Sequence, residues 1–521
     1  MDYERTTIPR LACLAADRFG DATAILANGR SYSFTEVERL RRTAARALLA
    51  LGVRHGDRIA IWAPNIPEWV FAGLGVHSVG AIIVPISTRM KGTEVADILN
   101  RSEARILFSI GDFLGEYYPA MLNGHKVGIE HCFVIGTPRN GDRSWDDFLA
   151  LAGRTPEAEA ARRLDAVSPD DLSDMIFTSG TTGFPKGVLT AHGQNLRGVA
   201  TWVDVVGVGP HDRHLVITPF FHTFGYKYGW VLDLMTGATM LPLSVFTPSA
   251  VLRHIVEDKV TLIPGPPTLF EGLLAEDRGG LDLSSLRAAV TGASSIPPIL
   301  VHRMREELGF SRVHTAYGLT ESCGFATITP AAASVEVIAN TSGVAIPGTE
   351  VRCIGPDGQP VAPNETGEIV IRGYNVMRGY FNDEDATRAT IDADGWLHTG
   401  DIGSLDEAGN IRILDRLKDM YISGGFNCYP AEIERLMAAH PAIAQIAVVG
   451  IPDGRLGEVG CAFVVLRSDA SASEADIVAW CRANLANYKV PRRVVLVDAL
   501  PVNAAGKVQK RTLRGQAVTA D

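Results

Sequence analysis

Apolar positions along the first third of the chain switch between two spacings. Thr35–Leu51 (TEVERLRRTAARALLAL) places them three and four apart, which predicts an amphipathic helix ending near Gly52. Arg58–Trp62 is a short apolar run and predicts a strand; Trp69–Val79 predicts a buried helix and Ala81–Val84 a second strand. The alternation continues with short strands at Leu215–Thr218, Thr261–Pro264, Ala288–Thr291 and Val313–Ala316, and with a helical segment at Pro298–Leu308. Strands alternating with helices predict the α/β class, a parallel-rich sheet covered by helices. After about Ala345 the pattern changes to short strands between turn signals, GPDGQP, NETGE and DEAGN, and a smaller β-rich subdomain is expected there.

The strand Asn410–Leu414 leads into Asp415–Asp419, and a last segment follows with helices near Pro430–Ala439 and Glu474–Leu485 and strands at Ile446–Ile451, Cys461–Leu466 and Val494–Val497. It is long enough for a core of its own. The expected division is therefore 1–415, a large N-terminal domain, and 416–521, a small α+β C-terminal domain, with a candidate hinge at Asp415–Asp419.

Composition narrows the class of protein. The 521 residues are 46% hydrophobic and 21% charged with a formal net charge of -10, which argues against a general nucleic-acid binder. Seven scattered cysteines without a CxxC pair indicate neither a disulfide framework nor a zinc site, and a cytoplasmic location is expected. The run Val70–Ile86 is too short and too interrupted for a membrane span, so no transmembrane segment is expected.

Several clusters carry candidate chemistry. TSGTTGFPKG, Thr178–Gly187, follows the apolar run Met175–Phe177 and so falls at a strand's carboxyl end, where α/β sheets place ligands. It lacks the GK[ST] spacing of a P-loop. Its glycines permit close backbone approach to an anion, and its hydroxyls and Lys186 add donors and charge; a plain Ser/Thr/Gly loop remains the alternative. In AYGLTES, Ala316–Ser322, Glu321 is a hard oxygen ligand suited to Mg²⁺ and Tyr317 could stack on a base. The alternative is a turn with Thr320 or Ser322 as cap. Asp401 in HTGD could bind a ribose diol or merely its own backbone. Arg416 could hold the same ribose or form an ion pair. Asn487–Arg514 contains seven basic residues against one acid, a pattern usually found on a solvated face, and within it Lys507 has a glycine beside it. Phe220–Trp230 (FFHTFGYKYGW) holds His222 and Lys227 among aromatics and reads equally as core or as pocket.

In this order, TSGTTGFPKG, FFHTFG, TGAS, AYGLTES, HTGD, DRLKDMYISGGFNCYPAEIE and PVNAAGKVQK resemble the adenylate-forming superfamily, specifically the acyl-CoA synthetases, over nearly the whole chain. The resemblance implies stacked parallel-rich sheets in the large domain and a two-step reaction. A carboxylate attacks the α-phosphorus of Mg²⁺-bound ATP, giving acyl-adenylate and pyrophosphate; the thiol of coenzyme A then displaces AMP.

Carried over by position, it implies that Thr178, Ser179, Gly180, Thr181, Thr182, Gly183 and Lys186 hold phosphates. Gly292, Ala293, Ser294, Ala316, Tyr317 and Gly318 enclose the nucleotide, with Thr320 at the α-phosphate and Glu321 with Thr178 at the metal. Asp401 and Arg416 take the ribose. Lys507 reaches the reacting carboxylate and α-phosphate. Lys418 is the hinge, and Gly424, Gly425 and Phe426 serve the pantetheine tunnel of coenzyme A. His222, Tyr226, Lys227 and Gly292 are candidates for the acyl site, with His222 also placed among the catalytic residues. One departure is Thr315, where many relatives carry Gln or Asn for the adenine amino group.

FFHTFGYKYGW, LIPGPPT, AVTGASSIP and RLKDMYISGGFNCYPAE look most like actinobacterial ligases that activate the propanoate side chain of the hydrindanedione left by steroid-ring degradation. A medium- or long-chain fatty acid is the alternative substrate. No carboxylate between Phe220 and Trp230 could hold an α-amino group, against amino-acid activation. A non-catalytic nucleotide-binding scaffold would not need Glu321, Asp401, Arg416 and Lys507 together. The expected partners are small molecules, a carboxylic acid, ATP and coenzyme A, with a homodimer left open.

Overall fold

The computed structural model describes residues 5–178, 185–292, 296–423, 426–468, 470–502 and 507–519, the side chains of residues 426, 427, 518 and 519 excepted, and all counts refer to these. Ser179, Gly180, Thr181, Thr182, Gly183, Ala293, Ser294, Gly424 and Gly425 lie outside them. Two compact units result: Met1–Val351 with Ile371–Leu397, and Arg352–Val370 with His398–Asp521. This partition differs from a single cut at Asp415, because residues of the turn-rich stretch after Ala345 group with the last segment.

The first unit contains a nine-stranded and an eight-stranded sheet. The helix expected at Thr35–Leu51 spans Phe34–Ala50 and starts where the Ser33 hydroxyl accepts from the Glu36 N–H at 3.1 Å. Arg58–Trp62, the buried helix Pro67–Ser78 and the strand Ile82–Pro85 follow as the apolar pattern predicts. Both sheets are mixed rather than wholly parallel. Leu172–Thr178 runs parallel to Ile82–Pro85 but pairs antiparallel with Lys186–Ala191, which in turn pairs antiparallel with Gly379–Tyr380. TSGTTGFPKG is therefore the connection of a hairpin, with Thr178 and Lys186 directly opposite each other at its base.

The largest core of this unit packs Trp69, Trp202, Tyr226, Tyr228 and Trp230, each at most 1% exposed. Burial of such aromatics at about 25 cal/mol per Å² supplies much of the driving force for assembling the layers.

The second unit holds most of a four-stranded sheet that ends with Leu397–Leu405 and Ile411–Arg416. It also has a five-stranded sheet built on the long antiparallel pair Ile443–Asp453 and Gly457–Leu466. The helices Pro430–Met437 and Glu474–Asn484 fall where the sequence places them. Ile433, Met437, Ile477 and Cys481 form part of its own core. No helix among the described residues is long and apolar enough to cross a membrane.

Candidate active site

Two strand ends and one turn bring the charged residues of the first unit together. Thr178 ends the strand Leu172–Thr178 and Lys186 begins the next. Glu321 stands on the single 3₁₀ turn Thr320–Ser322, which Ser322 closes through its hydroxyl, accepting from the Leu319 N–H at 2.9 Å. The turn reading of AYGLTES is realised through Ser322, and the same turn carries Glu321.

The Glu321 carboxylate accepts from the Tyr380 hydroxyl at 3.0 Å and, more weakly, from the Thr178 hydroxyl at 3.4 Å, both at Oε1. The Lys186 ammonium lies 4.9 Å from the centre of the Tyr380 ring. Thr320 Oγ1 is 3.5 Å from Thr223 Oγ1. Among the described residues no three His, Cys, Asp or Glu side chains gather as a metal cage. A single carboxylate is the donor set expected for Mg²⁺ held mainly by phosphate oxygens and water, so Glu321 fits the metal that ATP would bring.

Close backbone approach explains the glycines beside Tyr317. A Cβ at Gly318 would come within 2.3 Å of the Phe325 Cα, and one at Gly292 within 2.7 Å of the Ala316 carbonyl oxygen. Gly292 and Ala316 are register partners in adjacent parallel strands, so two members of the expected nucleotide enclosure do meet. Thr315 does not join them. It is 1% exposed, and its hydroxyl donates to the Thr341 carbonyl at 2.8 Å. That side chain is committed to the fold rather than to an adenine.

The acyl candidates divide. His222 is exposed and caps the turn that follows it, accepting at Nδ1 from the Phe224 N–H at 3.2 Å. Tyr226 and Lys227 are 0% exposed. They sit in a π-helical turn, Tyr226–Val231, all six of whose residues are buried. Tyr226 stacks on Trp230 and its hydroxyl is 2.9 Å from His77 Nε2. Burial lowers His77 well below the usual imidazole range, and takes its neighbour His192 down to about 3, so both are neutral.

The Lys227 ammonium donates to the Thr190 hydroxyl at 3.0 Å and lies 3.4 Å from Asp174 Oδ1. Asp174 in turn accepts from Ser173, Thr190 and Asn195. Lys227 is thus engaged in a fully buried ion pair, and its candidacy for the acyl site gives way to a core role.

In the second unit Asp401 and Arg416 are opposite each other in an antiparallel ladder, with Arg416 Nε 3.1 Å from Asp401 Oδ1. Asp401 is 4% exposed. The strand just before it is fastened by Glu368, which accepts from the Gly400 N–H at 3.1 Å and contacts His398 Nδ1 at the same distance. The ion-pair reading of Arg416 is realised, with the guanidinium partly exposed beside its partner. Lys418 is exposed in the turn after Arg416, Phe426 begins the strand Phe426–Cys428, and Lys507 is exposed.

Two residues that the sequence reading passed over position this site. Tyr380 is one. Asn65 is the other: 3% exposed, it donates to the carbonyls of Val216 and Thr218 and accepts from the Phe220 N–H at 2.7 Å, pinning the chain that enters FFHTFG. Both lie in two- or three-residue contexts without periodic signal; only an Asn after a strand and a Tyr between two turns marked them.

Residues 14–381 match the family described as AMP-binding enzyme, and residues 432–507 match the AMP-binding enzyme C-terminal domain. A 3-[(3aS,4S,7aS)-7a-methyl-1,5-dioxo-octahydro-1H-inden-4-yl]propanoyl:CoA ligase of Rhodococcus jostii (strain RHA1) is 46% identical over 99% of both chains. The ligase of the same name from Mycobacterium tuberculosis is 47% identical over 98% of both. Among solved structures, the anthranilate CoA ligase AuaEII in complex with anthranoyl-AMP superposes with a TM-score of 0.89 at 28% identity, covering 99% of this chain and 98% of that one. With its motifs, its strand-end site and both of its family regions in agreement, the chain belongs to the AMP-binding, adenylate-forming enzymes.

Proposed function

We propose that this enzyme is an ATP-dependent acid–CoA ligase whose acid is a fused-ring propanoate of the methyl-dioxo-octahydroindenyl type. The observation that carries the nucleotide chemistry is the meeting of Thr178, Lys186 and Glu321 at the base of the TSGTTGFPKG hairpin. Hydroxyl and ammonium donors there suit the β- and γ-phosphates, which leave as pyrophosphate. The acid is supported by the names of the two ligases that share 46% and 47% of their residues with it.

A free carboxylate is a poor acylating agent, and joining it to AMP supplies a leaving group. In that step Thr320 contacts the α-phosphate, Asp401 and Arg416 hold the ribose, and Lys507 neutralises charge on the attacking carboxylate and α-phosphate. Glu321 would hold the Mg²⁺ that accompanies ATP, and the metal would supply positive charge against the phosphate oxygens.

In the second step the coenzyme A thiol attacks the acyl carbon, and AMP leaves. We assign the change between steps to rotation about Lys418, which withdraws Lys507 and admits the pantetheine arm beside Phe426. Proline at 418 fixes φ and restricts Leu417 before it. Lys418→Pro is therefore expected to retain acid-dependent ATP–pyrophosphate exchange and lose CoA-ester formation; joint loss of both in a folded variant would refute the hinge.

The substrate is tested by measuring CoA-ester formation across fused-ring propanoates and fatty acids of graded length. The fused-ring acid is expected to have the highest kcat/KM. A clear preference for a fatty acid would replace the steroid-derived substrate, and no ester or pyrophosphate exchange with any acid would end the ligase assignment.

A further inference from the structure

Tyr380 belongs to none of the recognised motifs, yet it touches two of the groups assigned to ATP. Its place is set by backbone. The Phe381 N–H donates to the Gly187 carbonyl at 2.8 Å, and the Met377 N–H donates to the Glu321 carbonyl at 2.8 Å. The same short segment is therefore stitched to the end of the phosphate hairpin on one side and to the Glu321 turn on the other. Between these anchors Tyr380 pairs with Val188, two residues after Lys186 and on the same face of the strand.

The side chain uses both of its chemical parts. Its hydroxyl donates to Glu321 Oε1 at 3.0 Å, and its ring faces the Lys186 ammonium at 4.9 Å. A phenol holds its proton at neutral pH and a carboxylate has only acceptors, so the hydroxyl is the donor in this bond. A donor on one carboxylate oxygen fixes the plane of the group and directs the other oxygen towards a cation, as partners of metal ligands commonly do. A cation over a ring face is held by the ring quadrupole.

We infer that Tyr380 is a positioning residue for the magnesium–triphosphate complex, its hydroxyl orienting Glu321 for the metal and its ring holding Lys186 for the phosphates. The inference rests on the ATP-dependent reading above and divides one side chain into two separable contributions.

The test measures ATP affinity of the full chain by titration calorimetry with Mg²⁺ and with the metal chelated. The unsubstituted chain is expected to bind Mg-ATP more tightly than metal-free ATP. Tyr380→Phe keeps the ring and removes the hydroxyl. It should weaken Mg-ATP binding about 10–100-fold, the range for partners of metal ligands, while leaving metal-free ATP unchanged. Tyr380→Leu removes the ring as well and should weaken both. Mn²⁺ in place of Mg²⁺, with its bound fraction read by electron paramagnetic resonance, gives the metal's affinity without turnover and should follow the same order.

Unaltered Mg-ATP affinity in Tyr380→Phe, or equal weakening with and without metal, would overturn the role of the hydroxyl. Metal-free ATP binding by Tyr380→Leu as tight as that of the unsubstituted chain would overturn the role of the ring. Absence of any ATP binding by the unsubstituted chain would overturn the ATP-dependent reading together with this inference, and so is distinguishable from the other outcomes.

Discussion

Replacing Lys507 by alanine is expected to slow acid-dependent ATP–pyrophosphate exchange by about 10²–10³-fold, the loss typical of one preorganised donor aimed at developing charge. The reaction brings a carboxylate anion against a phosphorus whose oxygens are already negative, and a fixed ammonium near both lowers that repulsion most where charge is shifting. The proposed division of labour makes the effect one-sided. Thioester formation from preformed acyl-adenylate and coenzyme A should remain near the unsubstituted rate, because no new bond to phosphorus is made in that step. Exchange and thioester formation assayed separately decide the matter: equal losses in both would show that Lys507 holds the domain's fold or serves both steps alike.

Lys227→Met should cost about 3–5 kcal/mol of stability, the usual penalty for leaving one member of a buried ion pair without the other. Both side chains are 0% exposed, so water cannot compensate Asp174 once the ammonium is gone. The ammonium grips both strands of the phosphate hairpin, Asp174 on one and Thr190 on the other. The damage should therefore register first in urea unfolding and, through the hairpin, in ATP affinity. Adding Asp174→Asn in the same chain removes the stranded charge while keeping an acceptor for Ser173 and Thr190, and should recover much of the loss. The assignment would be wrong if the single variant unfolds within about 1 kcal/mol of the unsubstituted chain, since a broken buried pair costs more. A double variant no better than the single one would also contradict it.

These two lysines mark how far the sequence could be read. Lys507 could be singled out because its neighbours repeat a recognisable block, and its proposed chemistry needs only charge at the end of a long side chain. Lys227 was left between pocket and core because a lysine among aromatics carries no sign of which way it points; the π-helical turn decides that by burying six consecutive residues. Strands such as Arg58–Trp62 and helices such as Pro430–Met437 were legible since their apolar spacing is local. Tyr380 was not. Its importance comes from a two-residue strand whose partner lies far earlier in the chain, and pairing across such separation leaves no periodic trace. The Asp401–Arg416 ladder was half legible, with both residues singled out but their register known only from the fold.

The first strand of the molecule has a consequence for synthesis. Thr23–Ala27 pairs on one side with Arg30–Ser33, which emerges at once, and on the other with Thr239–Pro242 through Ile25 opposite Met240. At about 5–20 residues per second, a ribosome needs roughly 10–40 s to deliver that second partner. Throughout this interval the apolar sequence TAILA presents an open edge of unpaired N–H and C=O groups on a growing chain. The nascent protein thus passes through a long aggregation-exposed stage before its largest sheet can close, and the yield of native enzyme depends on how well that one edge is shielded during translation.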